Sequence, residues 1–183
     1  LEKNLGTIAE SGTLAFKKEN QDKTDSELIG QFGVGFYSAF MVAKKVRVIS
    51  KGYGEEKAYE WVSTGAEGYD IVEGEKQGYG TDIVLYIKDN TESDNYDSYL
   101  EEYTIKNLVK KYSDYIRYPI KMEVTKYKPS ESDGKEQESY KEIETLNSQI
   151  PLWKKAKKDI TKEEYNGFYK DNFLDSQEPS RVI

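Results

Sequence analysis

Gly30, Gly33 and Gly35 sit within one short stretch, Gly30-Gln31-Phe32-Gly33-Val34-Gly35-Phe36. Without a Cβ, each can take positive φ and turn its N–H inward. Behind them runs Tyr37-Ser38-Ala39-Phe40-Met41-Val42-Ala43-Lys44-Lys45, largely apolar, of helical length and without a breaker. A helix there places the glycine N–H groups at its N-terminus. Unpaired amide donors and the positive end of the helix dipole then converge on one point, which suits a phosphate. The pattern points to nucleotide handling without settling it, because tight turns and close helix packing use the same glycines. No Gly-x-x-x-x-Gly-Lys-Ser/Thr occurs, so this is not a P-loop, and no strand leads into the glycines as a dinucleotide-binding unit requires.

The rest of the composition narrows the chemistry. Among 183 residues there is no histidine and no cysteine. That removes imidazole bases, Ser-His-Asp catalysis, disulfides and thiolate metal sites, and it fits a reducing compartment. Carboxylates, lysines, backbone dipoles and bound ions remain. A net charge of −7 argues against a nucleic-acid binder, which needs a basic face. Lys44-Lys45, Lys110-Lys111 and Lys154 to Lys158 are diluted by acidic neighbours and read as solvated faces. No signal peptide is visible, and the low-polarity run from Phe32 to Ala43 is too short to span a bilayer. The chain opens at Leu1 inside what reads as a helix end and stops at Arg181-Val182-Ile183 without a stop signal. The expectation is a segment of a longer protein.

The elements that must hold the glycines are readable in outline. Residues 1–29 are polar and broken by Gly6-Thr7 and Ser11-Gly12-Thr13, which fits a mobile lid over a ligand or an ordinary surface helix-loop-helix. Val46 to Ser50, Ala58 to Ser63, Tyr69 to Val72 and Asp82 to Ile87 have β-branched or alternating patterns, separated by glycine turns. Short connections predict an antiparallel meander. Ser98 and Glu101 have capping-box spacing, and Ile105, Leu108, Val109, Tyr112, Tyr115 and Ile116 fall on one helical face, ended by Pro119 and expected to pack on the sheet. Ile120 to Val124 alternates, and Tyr140 to Ile143 can pair back with 120–126 around a polar tip at Pro129 to Ser139. Ile150 to Trp153 forms an apolar anchor. Thr161 and Glu164 make a capping box for a last helix carrying Phe168, Tyr169 and Phe173.

Asn4 to Ala9, Ser11 to Thr13 and Ile29 to Ser38 resemble the ninety-kilodalton heat-shock chaperone family, of the bacterial HtpG type. The likeness continues through Tyr59-Glu60-Trp61, Gly80-Thr81, Lys110 to Ile116, Tyr118-Pro119-Ile120, Pro151-Leu152-Trp153 and Asp159 to Lys170, in order along nearly the whole chain. The resemblance implies an α+β fold, a two-layer α/β sandwich of the split-site (Bergerat, GHKL) ATPase type. Its mainly antiparallel sheet carries helices on one face. It also implies a division into the later part of an N-terminal ATP-binding domain, residues 1–147 (lid 1–36, sheet and helix 44–146), and the start of a middle domain, 148–183.

Site roles follow from the same resemblance. Gln31, Phe32, Gly33, Val34, Gly35 and Phe36 would wrap the terminal phosphates of ATP with backbone N–H groups. Asn4 would contact the ribose and phosphate side of a magnesium-bound nucleotide, and Ser11 and Gly12 would lie in the lid. Thr81 would reach the adenine through water, with Val48 and Ile83 as an apolar floor. Read by themselves, Asn4 is equally a helix cap and Thr81 a strand residue after a turn. Glu10 departs from the lysine common in the family and would repel phosphate unless it points to solvent. The family's catalytic glutamate, its adenine-reading aspartate and its γ-phosphate arginine have no counterpart among these residues, so no catalytic or metal-ligating residue is assigned and turnover by this chain alone is not expected. The implied parent is a cytoplasmic, dimeric, ATP-dependent stress-response chaperone with Mg2+ accompanying the nucleotide and unfolded client proteins as partners, and with no role for nucleic acid or membrane. Two rivals stay open: a non-hydrolysing protein-interaction module, and another split-site ATPase such as a histidine-kinase catalytic domain.

Overall fold

A computed structural model describes residues 1–7, 33–128, 138–173 and 175–181. Residues 8–32 of the lid expected over 1–36, and 129–137 of the hairpin tip expected over 129–139, lie outside the described residues. The chain divides into two compact units, Leu1–Ser98 and Tyr99–Ile183.

The first unit is built on four antiparallel strands: β1 (Ala43–Lys51), β2 (Ala58–Ser63), β3 (Tyr69–Gly74) and β4 (Gly80–Ile87). Their spatial order is β3-β2-β1-β4, the order of a Greek key, not the meander expected. The fourth strand returns past two neighbours to the free edge of β1. Ala43, Val46 and Val48 of β1 are all buried, so this strand needs partners on both sides to satisfy its backbone. β4 is long enough to supply them, running from Ala43↔Ile87 to Lys51↔Gly80. Left-handed Gly78 (φ 70°) and Gly80 (φ 123°) turn the chain back into β4.

The segment behind the glycines also differs from expectation. Helix extends only over Gly35–Met41, as a 3-10 helix, and Ala43 to Lys45 belong to β1. A register irregularity between Ala43 and Lys45 shifts the alternation. Ala43 and Val46 then both face the core although three residues apart, a spacing that imitates helical periodicity. The core on that face joins Ala43, Val46, Val48 and Trp61 to Leu1, Leu5, Phe36, Ala39, Phe40 and Ile71. It ties the short helix α1 (Glu2–Leu5) and the 3-10 helix to the sheet.

The second unit holds α2 (Glu102–Ser113), the hairpin β5 (Lys121–Tyr127) with β6 (Ser139–Thr145), and α3 (Lys162–Phe173). The expected pairing of 120–126 with 140–143 is present, with Lys121 opposite Thr145 and Tyr127 opposite Ser139, as a separate two-stranded sheet. The Ser98–Glu101 capping box is absent. Ser98 sits in a 3-10 turn, Tyr96–Leu100, and its hydroxyl donates to the Asn95 carbonyl at 2.7 Å, while Glu101 becomes the N-cap without capping a backbone N–H, its carboxylate accepting from the Thr104 hydroxyl at 3.4 Å. The helix stops at Ser113, short of Tyr115, Ile116 and Pro119. Buried Asp114 ends it by bonding elsewhere: its carboxylate accepts the Ser148 N–H at 2.9 Å and its carbonyl accepts the Gln149 N–H at 2.8 Å. The last helix starts as read. The Glu164 N–H donates to Thr161 Oγ1 at 3.2 Å and the Thr161 N–H to Glu164 Oε2 at 2.9 Å.

Candidate nucleotide site

Six of the ten predicted site residues fall among the described ones; Ser11, Gly12, Gln31 and Phe32 do not, nor does Glu10. Gly33 takes φ 66°, so the chain turns left-handed there as its lack of a Cβ allows. Gly35 does not: its φ is not positive, and a Cβ built on it meets nothing within 4 Å. Of these two glycines only Gly33 is required by backbone shape. The turn delivers Val34 as N-cap of the 3-10 helix, with no side-chain cap. The N–H groups of Val34, Gly35 and Phe36 precede the first bonded donor, Tyr37 N–H to the Val34 carbonyl at 3.1 Å. They find no acceptor among the described residues. Three adjacent free donors at a helix start can serve an anion, although the short 3-10 helix contributes a weaker dipole than the helix expected.

Asn4 lies inside α1, not at a cap position. Its side chain is exposed and bonds to no described residue. The structure brings this segment and the glycine turn together: the Tyr37 hydroxyl donates to the Leu5 carbonyl at 2.9 Å, across 32 residues, and Leu5 and Phe36 pack on the same core. Phe36 meets Trp61 edge-on, with ring centroids 5.5 Å apart at 70°, and Tyr69 stacks on Trp61 at 6.0 Å and 26°. The Trp61 indole N–H is buried and finds no acceptor among the described residues. Tyr37, Trp61 and Tyr69 thus support the site without having been assigned a role from sequence. Only an aromatic residue directly after the glycines hinted at it.

Thr81 lies at the start of β4, opposite Ser50, and the two hydroxyls share a hydrogen bond of 2.9 Å. It shares a sheet face with Val48 and Ile83, which are directly opposed across β1 and β4. Val48 is buried and Ile83 is 53% exposed. Ala43 and Ser50 stand at opposite ends of β1, roughly 20 Å apart at strand rise, so Thr81 is not joined to the glycine turn by direct contact. On the other sheet face Arg47 holds Glu60 bidentately, with both N–O distances 2.6 Å. Each partner stabilises the other's charged form, lowering the Glu60 pKa and raising that of Arg47.

An open cleft of about 1010 Å³ lies in the second unit, whereas every predicted site residue is in the first. Two of its three lysines are paired with carboxylates, Lys110 with Asp114 at 3.2 Å and Lys155 with Glu164 at 2.5 Å, and the third, Lys111, lies over the Tyr112 ring at 5.1 Å. Tyr115 and Phe168 of its lining each meet Trp153 edge-on, at 5.1 and 6.2 Å. Size alone does not make it the nucleotide site, since two of its lysines are already paired with carboxylates and none of the predicted site residues lines it. Among the described residues no group of three carboxylates could hold a metal, and no helix is long and apolar enough to cross a membrane.

A mixed α+β chain with a four-stranded antiparallel sheet and a few helices therefore presents a glycine turn whose first N–H groups find no acceptor among the described residues, tied through Tyr37 to the helix that carries Asn4. This chain belongs to the Hsp90 protein family, whose profile matches residues 98–142 and 128–183. The first unit, which holds the candidate site, is covered by similarity to individual chaperones. The chain is 56% identical, over all 183 residues, to the chaperone protein HtpG of Clostridium botulinum strain 657. It is 53% identical, over 181 residues, to that of Clostridium perfringens strain 13. In both cases it spans 29% of the relative's length.

Proposed function

We propose that this chain is the nucleotide-handling part of an ATP-dependent, cytoplasmic chaperone that works as a homodimer on unfolded client proteins. The observation that carries the reading is the turn at Gly33, after which the N–H groups of Val34, Gly35 and Phe36 have no acceptor among the described residues, while Tyr37 ties the turn to the segment that carries Asn4. These donors would hold the terminal phosphates of ATP, and Asn4 the side facing its ribose. Mg2+ would come with the nucleotide. Bound ATP supplies a phosphoanhydride. This chain's residues would bind and orient it; the lid role expected of Ser11 and Gly12 falls outside the described residues. Thr81 would meet the adenine through water on the sheet face shared with Val48 and Ile83.

The architecture behind this reading is the split-site ATPase sandwich, with helices on one face of the sheet and a domain boundary at 147/148. Phosphoryl transfer rests on positioning and charge stabilisation. With no base or γ-phosphate arginine assigned here, the chain alone binds without turnover. Calorimetric titration of the 183-residue chain with Mg·ATP tests this. Binding without phosphate release is expected, weakened about tenfold in Gly33→Ala, since a non-glycine residue pays about 1–2 kcal/mol in the left-handed region. Absence of binding, or equal binding by Gly33→Ala, overturns the reading and favours a protein-interaction module.

A further inference from the structure

We infer that Tyr37 is a positioning residue: its hydroxyl clamps the Asn4 segment to the glycine turn and sets the spacing of the two halves of the phosphate site. The inference rests on the nucleotide reading above. Helix α1 comprises only Glu2–Leu5, a single turn that cannot persist without tertiary support. Its apolar residues Leu1 and Leu5 anchor it on the core, but apolar packing is not directional. The directional tie is the Tyr37 O–H donated to the Leu5 carbonyl at 2.9 Å, one of the terminal carbonyls a helix cannot satisfy itself. Asn4 immediately precedes Leu5, and the free N–H groups of Val34 to Phe36 immediately precede Tyr37.

The surroundings make the tie stiff. Phe36 and Tyr37 meet edge-on at 5.6 Å, and Phe36 rests on Trp61, so the tyrosine ring is held from the sheet side. From β3, Tyr69 closes the end of α1: a Cβ on Gly6 would lie 2.6 Å from the Tyr69 hydroxyl oxygen and 2.5 Å from the Glu2 carbonyl. The tyrosine hydroxyl oxygen therefore abuts the place where α1 turns away, and no residue larger than glycine fits there. A ligand that touches both Asn4 and the turn needs their separation set before it arrives, because misplacement by an ångström is costly.

Tyr37→Phe separates the hydroxyl from the ring, since packing on Phe36 survives while the bond to Leu5 is lost. Two measurements decide the matter. In the 183-residue chain without nucleotide, amide exchange should accelerate together at Leu5 and Gly6, whose N–H groups bond Leu1 and Glu2 at 2.8 and 2.7 Å, and at Tyr37, bonded to Val34 at 3.1 Å. With Mg·ATP, affinity should fall about threefold to tenfold, the size of one net hydrogen bond, while Tyr53→Phe on the exposed β1–β2 turn leaves it unchanged. Unchanged exchange, or acceleration in one segment alone, overturns the clamp, as does unchanged affinity with a binding wild type. If the wild-type chain does not bind Mg·ATP, the nucleotide reading fails, and joint acceleration would still establish Tyr37 as the tie between the segments.

Discussion

The two units hold themselves together by different means. In Leu1–Ser98 the buried residues are chiefly apolar: Ala43, Val46, Val48, Ala58 and Trp61, with Ser63 the one buried polar residue among those described. Among the described residues of Tyr99–Ile183 the buried ones are Val124 and Pro151, with the polar Asp114 and Asn147. Asn147 works as a three-way connector. Its amide donates to the Ile116 and Tyr118 carbonyls at 2.7 and 2.9 Å, and its oxygen accepts the Ile120 N–H at 2.8 Å. An apolar core tolerates conservative exchange provided volume is kept, whereas a buried polar connector loses several bonds at once when altered. The first unit is therefore robust in detail and sensitive to volume; the second depends on particular atoms.

Trp61→Ala should do the most damage. Removing a fully buried aromatic costs about 3–5 kcal/mol, and urea unfolding of the chain should show it in the transition of the first unit. Asn147→Leu comes next. It strands two carbonyls and an N–H, at about 1–3 kcal/mol, and should act on the second unit. If Asn147→Leu proved costlier than Trp61→Ala, the contrast between the units would have to be inverted.

The start of α3 should respond to acid. The Lys155 ammonium first, and then the Thr161 N–H, hold the Glu164 carboxyl below the usual carboxylate range. A lowered native pKa means its stabilising contribution is fully present above the ordinary carboxylate value and is lost as pH falls through the native one. Helicity of α3 should therefore fade below about pH 4, and Glu164→Gln should remove that titration; an identical acid transition in the variant would discount the capping pair. The smallest effect belongs to Ile83→Ser. Half exposed on β4, it should shift stability by within about 0.5 kcal/mol, and a larger loss would mean that more covers this face than the described residues show.

Legibility in the sequence followed the range of the interactions. The capping box at Thr161 and Glu164 and the hairpin of β5 with β6 were readable because their partners are near in sequence or announced by alternation. The end of α2 was not, because Asp114 turns to Ser148 and Gln149, more than thirty positions on. Nor was the extent of helix after Gly35, since the irregularity in β1 gives Ala43 and Val46 a helix-like spacing. In the candidate site, the left-handed Gly33 was foreseeable from residue type, and the tie from Tyr37 to Leu5 was not.

By itself the sequence determined the absence of imidazole and thiol chemistry, the acidic surface, the strand segments and the glycine turn, all of which depend on residue type or on neighbours a few positions away. Tertiary structure alone decided that β4 pairs with β1, that Gly35 needs no special backbone, and that Tyr37 ties the turn to the segment carrying Asn4. Those outcomes depend on which distant groups compete for the same backbone edge, carbonyl or core face, and that competition is resolved only when the chain has folded.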